Sequence, residues 1–182
     1  MSAFKRLSSR WQLLASFSAT RRDVPIQVSA SGSEFNGNVE SGPDNPNGEI
    51  FTADREWERT GKVSGVYVLP YQISTSATFE YRSGYPWARQ VRFTGGQTIP
   101  NITVNVEEIG TRRLPHQNQL DVRVEKTFDV RAGHRATVRM NIFNALNDST
   151  ILEVTRLSGP NFGRPTSIMP PRIAEFSVSY QF

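Results

Sequence analysis

With 182 residues, the chain has the length of one domain. It contains no cysteine, which excludes disulfide scaffolds, thiolate metal sites and cysteine nucleophiles. The formal charge of +4 permits contact with an anionic surface. The chain has no phosphate loop or dinucleotide fingerprint. We predict no nucleic-acid partner.

A membrane-spanning helix is also excluded. Such a helix needs about 20 mostly apolar residues, and the longest stretch free of charge, Val63–Phe79, contains Pro70 and several Ser and Thr residues. Near the N-terminus, basic residues precede the apolar stretch Trp11–Ala19, which loosely imitates a secretion signal. We predict that it is not one, because cleavage after Ala19 would put Phe17 where a small residue is needed.

Alternation of apolar and polar residues is the main pattern in the chain, and it predicts β-strands. The first predicted strand has Trp11, Leu13 and Phe17 on one face, with Leu14 out of pattern. The pattern recurs through the last segment, RIAEFSVSYQF. Six long strands are predicted, at 9–20, about 57–69, 73–84, 116–128, 134–147 and 172–182.

The predicted connections alternate between short and long. Three are long, namely Arg21–Phe51, Tyr85–Thr111 and Asp148–Pro171. Long connections without helices are uncommon in compact soluble domains, whereas transmembrane β-barrels combine short periplasmic turns with long extracellular loops. We therefore predict an all-β fold, an antiparallel segment of a transmembrane β-barrel. Two apolar stretches, 98–108 and 149–157, are interpreted as hairpins inside the long connections.

The different surroundings of the two sides of a barrel strand account for its apolar and its polar face. A barrel strand has one side in lipid and the other in a wet lumen, so polar residues on alternate positions are expected. The candidate lumen-lining residues are charged side chains on the polar face, which we expect to form ladders of paired charge: Glu80, Arg82, Asp121, Arg123, Glu125 and Arg139. Two aromatic belts are also predicted. Tyr67, Tyr71, Phe128, Tyr180 and Phe182 lie toward the short turns, and Phe17, Trp57, Tyr81, Tyr85 and Trp87 lie toward the long connections.

Five stretches carry a resemblance to a known family: KRLSSRWQLLASFSAT, VYVLPYQISTSATFEYRSGYPW, NQLDVRVEKTFDV, MNIFNALN and FGRPTSIMPPRIAEFSVSYQF. Their most specific motifs are a D-x-R-x-x-K-x-F run from Asp121 to Phe128, an F-N-x-x-N turn from Phe143 to Asn147, and Pro171-Arg172 before the last strand. In this order, the stretches resemble the C-terminal end of the barrel of TonB-dependent outer-membrane receptors. The likeness is strongest to the subgroup that carries a carboxypeptidase-regulatory-like domain.

The resemblance implies a gated importer in a Gram-negative outer membrane, with outer-membrane lipid as its surroundings. It implies that the barrel-assembly machinery reads the last strand through Phe176, Val178, Tyr180 and Phe182. It further implies energy coupling to an inner-membrane complex through an N-terminal part. Six strands cannot close a barrel, since the smallest has 8. We therefore expect residues 1–182 to be the C-terminal portion of a longer receptor, without its plug domain and remaining strands.

A soluble β-sandwich that binds carbohydrate or protein is the alternative interpretation, because sandwich strands also alternate. No catalytic, cofactor or metal site is predicted, and we do not expect an enzyme. The two histidines, His116 and His134, have no partner at ligand spacing and are interpreted as surface or strand-end residues. The imported ligand is not identified by the sequence.

Overall fold

The structure, a computed structural model, describes residues 1–21, 24–25, 53–54, 56–95 and 101–182. These residues contain fifteen β-strands and no helix, as the all-β prediction expected. The described part of the chain therefore has no helix that is long and apolar enough to span a membrane. Most of the first long connection lies outside the described residues, as do residues 96–100.

Seven strands form one large antiparallel sheet, in the order β1-β2-β5-β6-β11-β12-β15. Their bounds are β1 Ser2–Ser8, β2 Trp11–Arg21, β5 Trp57–Leu69, β6 Ile73–Arg82, β11 Gln117–Arg131, β12 His134–Phe143 and β15 Ile173–Gln181. Six of the seven correspond to the predicted strands, which neighbour each other in chain order. Among the described residues the sheet is open, since β1 and β15 each have one neighbouring strand there.

The seventh strand, β1, was not predicted. It pairs with β2 through a tight turn at Ser9 and Arg10, both of which have positive φ. The predicted strand 9–20 is therefore wrong at its start, because Ser9 and Arg10 belong to this turn. The β1 strand also continues the alternation of connections, since another short turn lies at the same end of the sheet as Tyr71–Gln72 and Ala132–Gly133.

The long connections form paired strands of their own. These strands are β3 Val24–Pro25, β4 Ala53–Asp54, β7 Pro86–Trp87, β8 Gln90–Thr94, β9 Asn101–Asn105, β10 Arg112–Arg113, β13 Ile151–Val154 and β14 Pro165–Ile168. The pairs are β3 with β4, β7 with β10, β8 with β9, and β13 with β14. The prediction that the stretches 98–108 and 149–157 are hairpins is wrong in its bounds, because each stretch supplies one strand, β9 or β13, whose partner, β8 or β14, lies outside it. Residues 98–100 lie outside the described part of the chain.

The buried core of the described residues lies in these connections and not on the large sheet. We call residues 83–95, 101–116 and 144–172 the loop layer. Its core consists of Trp87, Leu114 and Val154, with Tyr85, Ile151 and Phe162 packed against it. The backbone of Gly84 packs tightly against the chain beside this core, where an added Cβ would meet the Leu114 carbonyl oxygen at 1.6 Å.

Trp87 corrects the predicted aromatic belt. The side chain is only 8% exposed and lies 5.9 Å from the Phe162 ring, centroid to centroid. Tyr85 packs against the same core. Both residues therefore belong to the interior of the loop layer. Phe17, Trp57 and Tyr81, by contrast, lie on the large sheet at its long-connection end.

Candidate functional site

One face of the large sheet is apolar across its width, because strand register aligns the apolar positions. One row of paired residues runs Trp11, Tyr67, Thr75, Val124, Met140 and Phe176; the next runs Leu13, Gly65, Ala77, Val122, Ile142 and Ala174. Residues two apart on a strand share a face, so Phe17, Phe79, Val138 and Val178 belong to it as well. We call this surface the apolar face.

No other part of the described chain covers the apolar face. Phe176 is 72% exposed, Val178 is 73% exposed, and Phe182, beyond the end of β15, is 91% exposed. Monomeric soluble proteins rarely expose contiguous apolar patches of more than a few hundred Å². The remaining sheets of the described residues have two strands each, so none is a second layer such as a β-sandwich requires.

The candidate assembly residues share this surface. Phe176, Val178 and Tyr180 lie at alternate positions of β15, opposite Met140, Val138 and Ala136 of β12. The Tyr180 hydroxyl is 2.8 Å from Nδ1 of His134, the first residue of β12. His134 therefore lies at a strand end, as expected. His116 lies just before β11 with its ring 6.0 Å from that of Tyr81.

The opposite surface of the sheet, which we call the polar face, carries all six candidate lumen-lining residues. Glu80 pairs in register with Gln119, and Arg139 pairs with Glu125. Asp121, Arg123 and Glu125 follow Gln119 at alternate positions of β11, while Arg82 follows Glu80 on β6. The structure thus brings these residues to one surface. That the surface lines a lumen stays a prediction.

Ion pairs and hydrogen bonds link the strands across the polar face; among the six candidates, one ion pair of the described chain joins two of them, Arg139 and Glu125. Arg139 Nε donates to Glu125 Oε2 at 2.7 Å, and Lys62 forms an ion pair with Glu80. Arg123 Nε donates to Asn141 Oδ1 at 2.8 Å, and Asn141 Nδ2 donates to Glu175 Oε2 at 3.4 Å.

Two apolar pairs interrupt the polar face. Phe4 of β1 opposes Leu14, the out-of-pattern residue of β2, and Phe143 opposes Ile173.

At the long-connection end, Arg82 lines a cavity of about 500 Å³ between the polar face and the loop layer. Glu58 and Thr60 line the cavity from the sheet, and Glu153 and Arg156 line it from the loop layer.

A cluster of hydrogen bonds around Asn144 joins the three motifs that carry the family resemblance. Asn144 has a φ of 49° and is 4% exposed. Its backbone N–H donates to Asp121 Oδ1 at 2.9 Å, and its Nδ2 donates to the carbonyl oxygens of Asp148 at 2.9 Å and Pro170 at 2.8 Å. Asn147 Oδ1 accepts from the Arg172 backbone N–H at 3.0 Å. We call this arrangement the asparagine cluster.

Asp148 extends the asparagine cluster into the loop layer. Its Oδ1 accepts from the Thr150 hydroxyl at 2.7 Å and from the Thr150 backbone N–H at 3.1 Å; Oδ2 accepts from the Asn118 N–H at 3.3 Å. The hydrogen bond from the Thr150 hydroxyl is the main cause that holds the pKa of Asp148 below its usual value of 3.8. The contributions of Asp148 and Thr150 were not predicted, since only the F-N-x-x-N spacing marked this turn.

No group of three or more His, Cys, Asp or Glu residues that could hold a metal ion occurs in the described ranges. No protein-family model, no curated protein and no solved structure matches the chain. The resemblance to TonB-dependent receptors therefore stays a prediction from the sequence.

Proposed function

We propose that this chain forms part of the wall of a transmembrane β-barrel, in an outer-membrane receptor of the TonB-dependent type. The apolar face is its lipid-contacting surface, and the polar face lines the interior. The short turns lie on the periplasmic side, and the loop layer lies outside the cell. In this role the chain contributes strands and an assembly signal and catalyses no reaction.

The observation that carries the proposal is the uncovered apolar face. Hydrocarbon cannot supply hydrogen bonds, so a membrane strand must satisfy its backbone groups through neighbouring strands. The inner strands of the sheet are paired on both edges over most of their length. Aromatic side chains of the apolar face, among them Trp57, Tyr67 and Tyr180, lie toward the strand ends, where amphipathic rings favour the membrane interface.

Lipid contact can be tested with two adjacent residues of β15. The chain has no cysteine, so Val178→Cys and Ser177→Cys each introduce a single labelling site, on the apolar and polar faces respectively. We expect a fluorophore at position 178 to be quenched by brominated acyl chains after reconstitution into vesicles, and one at position 177 to be quenched much less. Equal quenching at both positions would contradict the proposal.

The assembly signal forms a second part of the proposal, with the barrel-assembly machinery as partner. Phe182→Ser removes an exposed aromatic ring that lies 6.3 Å from the Tyr180 ring. We expect less of the longer receptor in the outer-membrane fraction of cells when it carries this substitution. Gln181→Ser is the matched control, since Gln181 lies on the polar face, opposite Arg135. Equal yields of both variants would argue against a signal at this end of β15.

A further inference from the structure

The second half of the D-x-R-x-x-K-x-F run points away from the hydrogen bonds that hold its first half. Asp121 and Arg123 form hydrogen bonds within the protein. Lys126 pairs in register with Ile73 and therefore lies on the apolar face. Its Nζ is 4.8 Å from the centroid of the Phe128 ring, which is exposed. The run thus ends in a cation and an aromatic ring on the apolar face.

The signs of the charges differ between the two faces of the large sheet. Within its seven strands, the acidic residues all lie on the polar face: Glu58, Glu80, Asp121, Glu125, Asp129 and Glu175. The charged residues of the apolar face are all basic: Lys5, Arg21, Arg59 and Lys126. The apolar face of these strands therefore carries positive charge alone.

Two of the three lysines of the chain bring their ammonium groups to the short-turn end of the apolar face. Lys5 Nζ lies 3.6 Å from the centroid of the Trp11 ring and donates to the Ser8 carbonyl oxygen at 3.0 Å. This acceptor is uncharged, and no described carboxylate forms an ion pair with Lys5 or Lys126. We call Lys5 with Trp11 and Lys126 with Phe128 the lysine border.

The two charged ends of the apolar face are separated by about the height of a hydrocarbon layer. Lys126 lies in one row with Leu69 of β5, and Arg59 lies near the other end of that strand. From Arg59 to Leu69 the strand spans about 33 Å at about 3.3 Å per residue. At a tilt of about 40° this corresponds to about 25 Å, the height of the apolar band of membrane barrels. The lysine border thus has the spacing expected for the level of lipid headgroups.

We propose that the lysine border binds the headgroups of anionic phospholipids, with Lys126 as the main contact. The apolar stem of a lysine covers apolar surface while its ammonium group reaches the polar layer, where a phosphate supplies the negative charge that the apolar face lacks. A zwitterionic headgroup is a weaker partner because it carries its own ammonium group. The inference rests on the proposed function, since only a face in contact with lipid brings headgroups to this border.

The preference can be measured with a label beside Lys126. Val138 lies opposite Lys126 on β12, so Val138→Cys introduces a single site for a fluorophore. The chain is reconstituted into vesicles of phosphatidylcholine and phosphatidylglycerol, in which one lipid or the other carries brominated acyl chains. In chain that floats with the vesicles, we expect a preference of about fivefold for phosphatidylglycerol at low salt, the effect of one lysine near an anionic surface. The preference should fall as the salt concentration rises.

Three further variants assign the preference to the charge of Lys126. Lys126→Gln should abolish it, and Lys126→Arg should retain it. Lys62→Gln is the matched control, because Lys62 is the remaining lysine and forms an ion pair with Glu80 on the polar face. The inference is overturned if the preference survives Lys126→Gln, if Lys126→Arg loses it, or if Lys62→Gln removes it as completely as Lys126→Gln does.

The same label separates this inference from the proposed function. If neither brominated lipid quenches the fluorophore at position 138 in vesicle-bound chain, the lipid contact of the apolar face fails. If both lipids quench it equally, the apolar face contacts lipid but the lysine border does not select anionic headgroups, and a protein carboxylate or water is the partner of Lys126.

Discussion

Large apolar side chains are buried in the loop layer but exposed on the large sheet. In the loop layer, Trp87 and Leu114 are buried against their own chain at 8% and 7% exposure, whereas Phe176 and Val178 of the sheet keep more than two thirds of their surface exposed. Burial of apolar surface is the main favourable term in folding in water. The loop layer has this contribution in its own core, whereas the described residues give the apolar face of the sheet no such cover.

The largest expected effect comes from the core of the loop layer. Trp87→Ala removes a buried side chain from between Leu114 and Phe162, and such substitutions cost about 3–5 kcal/mol. We expect faster hydrogen exchange in β7 and β10, with β12 and β15 unaffected. Trp57→Ala is the matched control, because Trp57 is 48% exposed on the sheet. Equal loss of protection in both variants would contradict a separately buried loop core.

A charge on the apolar face should have the next largest effect. Phe79 lies between Val63 and Leu120 in the register of the sheet, and arginine on the lipid side costs about 2–4 kcal/mol at the bilayer midplane. Phe79→Arg should therefore reduce the free energy of unfolding in vesicles and the folded yield. The adjacent Thr78→Arg places the same charge on the polar face and should be tolerated. If Thr78→Arg were the more destabilising variant, the polar face and not the apolar face would be the surface in contact with lipid.

A smaller effect is expected where the two regions join, at the asparagine cluster. Asn144→Ala removes three side-chain hydrogen bonds, each with a net contribution of about 0.5–1.5 kcal/mol. It also places alanine at positive φ. We expect a loss of about 2–3 kcal/mol in urea unfolding. Asn144→Gly should recover the part of this loss that comes from the backbone at positive φ. Asn161→Ala, in an exposed turn, should change the free energy of unfolding little. A neutral Asn144→Ala variant would show that the cluster does not stabilise the join.

The smallest effect concerns pH. Because the pKa of Asp148 is lowered by the Thr150 hydroxyl, ionised Asp148 stabilises the folded state at pH above its usual pKa. This contribution should disappear as the pH falls below 3.8 and through the lowered value. Unfolding of wild type and Asp148→Asn, measured between neutral and acidic pH, should differ most at neutral pH and converge in acid. A difference that is constant with pH would contradict this role.

The alternation in the sequence predicts most of the sheet because each long strand has one apolar and one polar face, so apolar residues recur at every second position. β1 lacks this signal. Its register shifts between Lys5 and Ser8, and Lys5 lies on the same side as Leu13, with its Nζ 3.6 Å from the centroid of the Trp11 ring. A strand that combines charge with an irregular register does not show a period of two. In addition, the basic residues before the apolar stretch Trp11–Ala19 resemble the start of a secretion signal and not a strand.

The loop layer and the asparagine cluster could be predicted only in outline. The F-N-x-x-N spacing marks a turn, but the partners of Asn144 lie at Asp121 and Pro170, far away in the chain. The position of Trp87 near a predicted strand end places it in an interface belt, but Leu114 and Val154, which come from two other segments, bury its side chain. Contacts of this kind depend on topology, which periodicity does not encode.

The bond from Arg172 N–H to Asn147 Oδ1 has a consequence for the evolution of the chain. It closes the third long connection at its base, next to β12 and β15, so the ends of those strands are held irrespective of what lies between them. Lengthening a closed loop is inexpensive, about 0.6 kcal/mol for each doubling. At the exposed turn Pro160–Asn161 we therefore expect an inserted peptide to be tolerated without loss of strand register in β12 and β15.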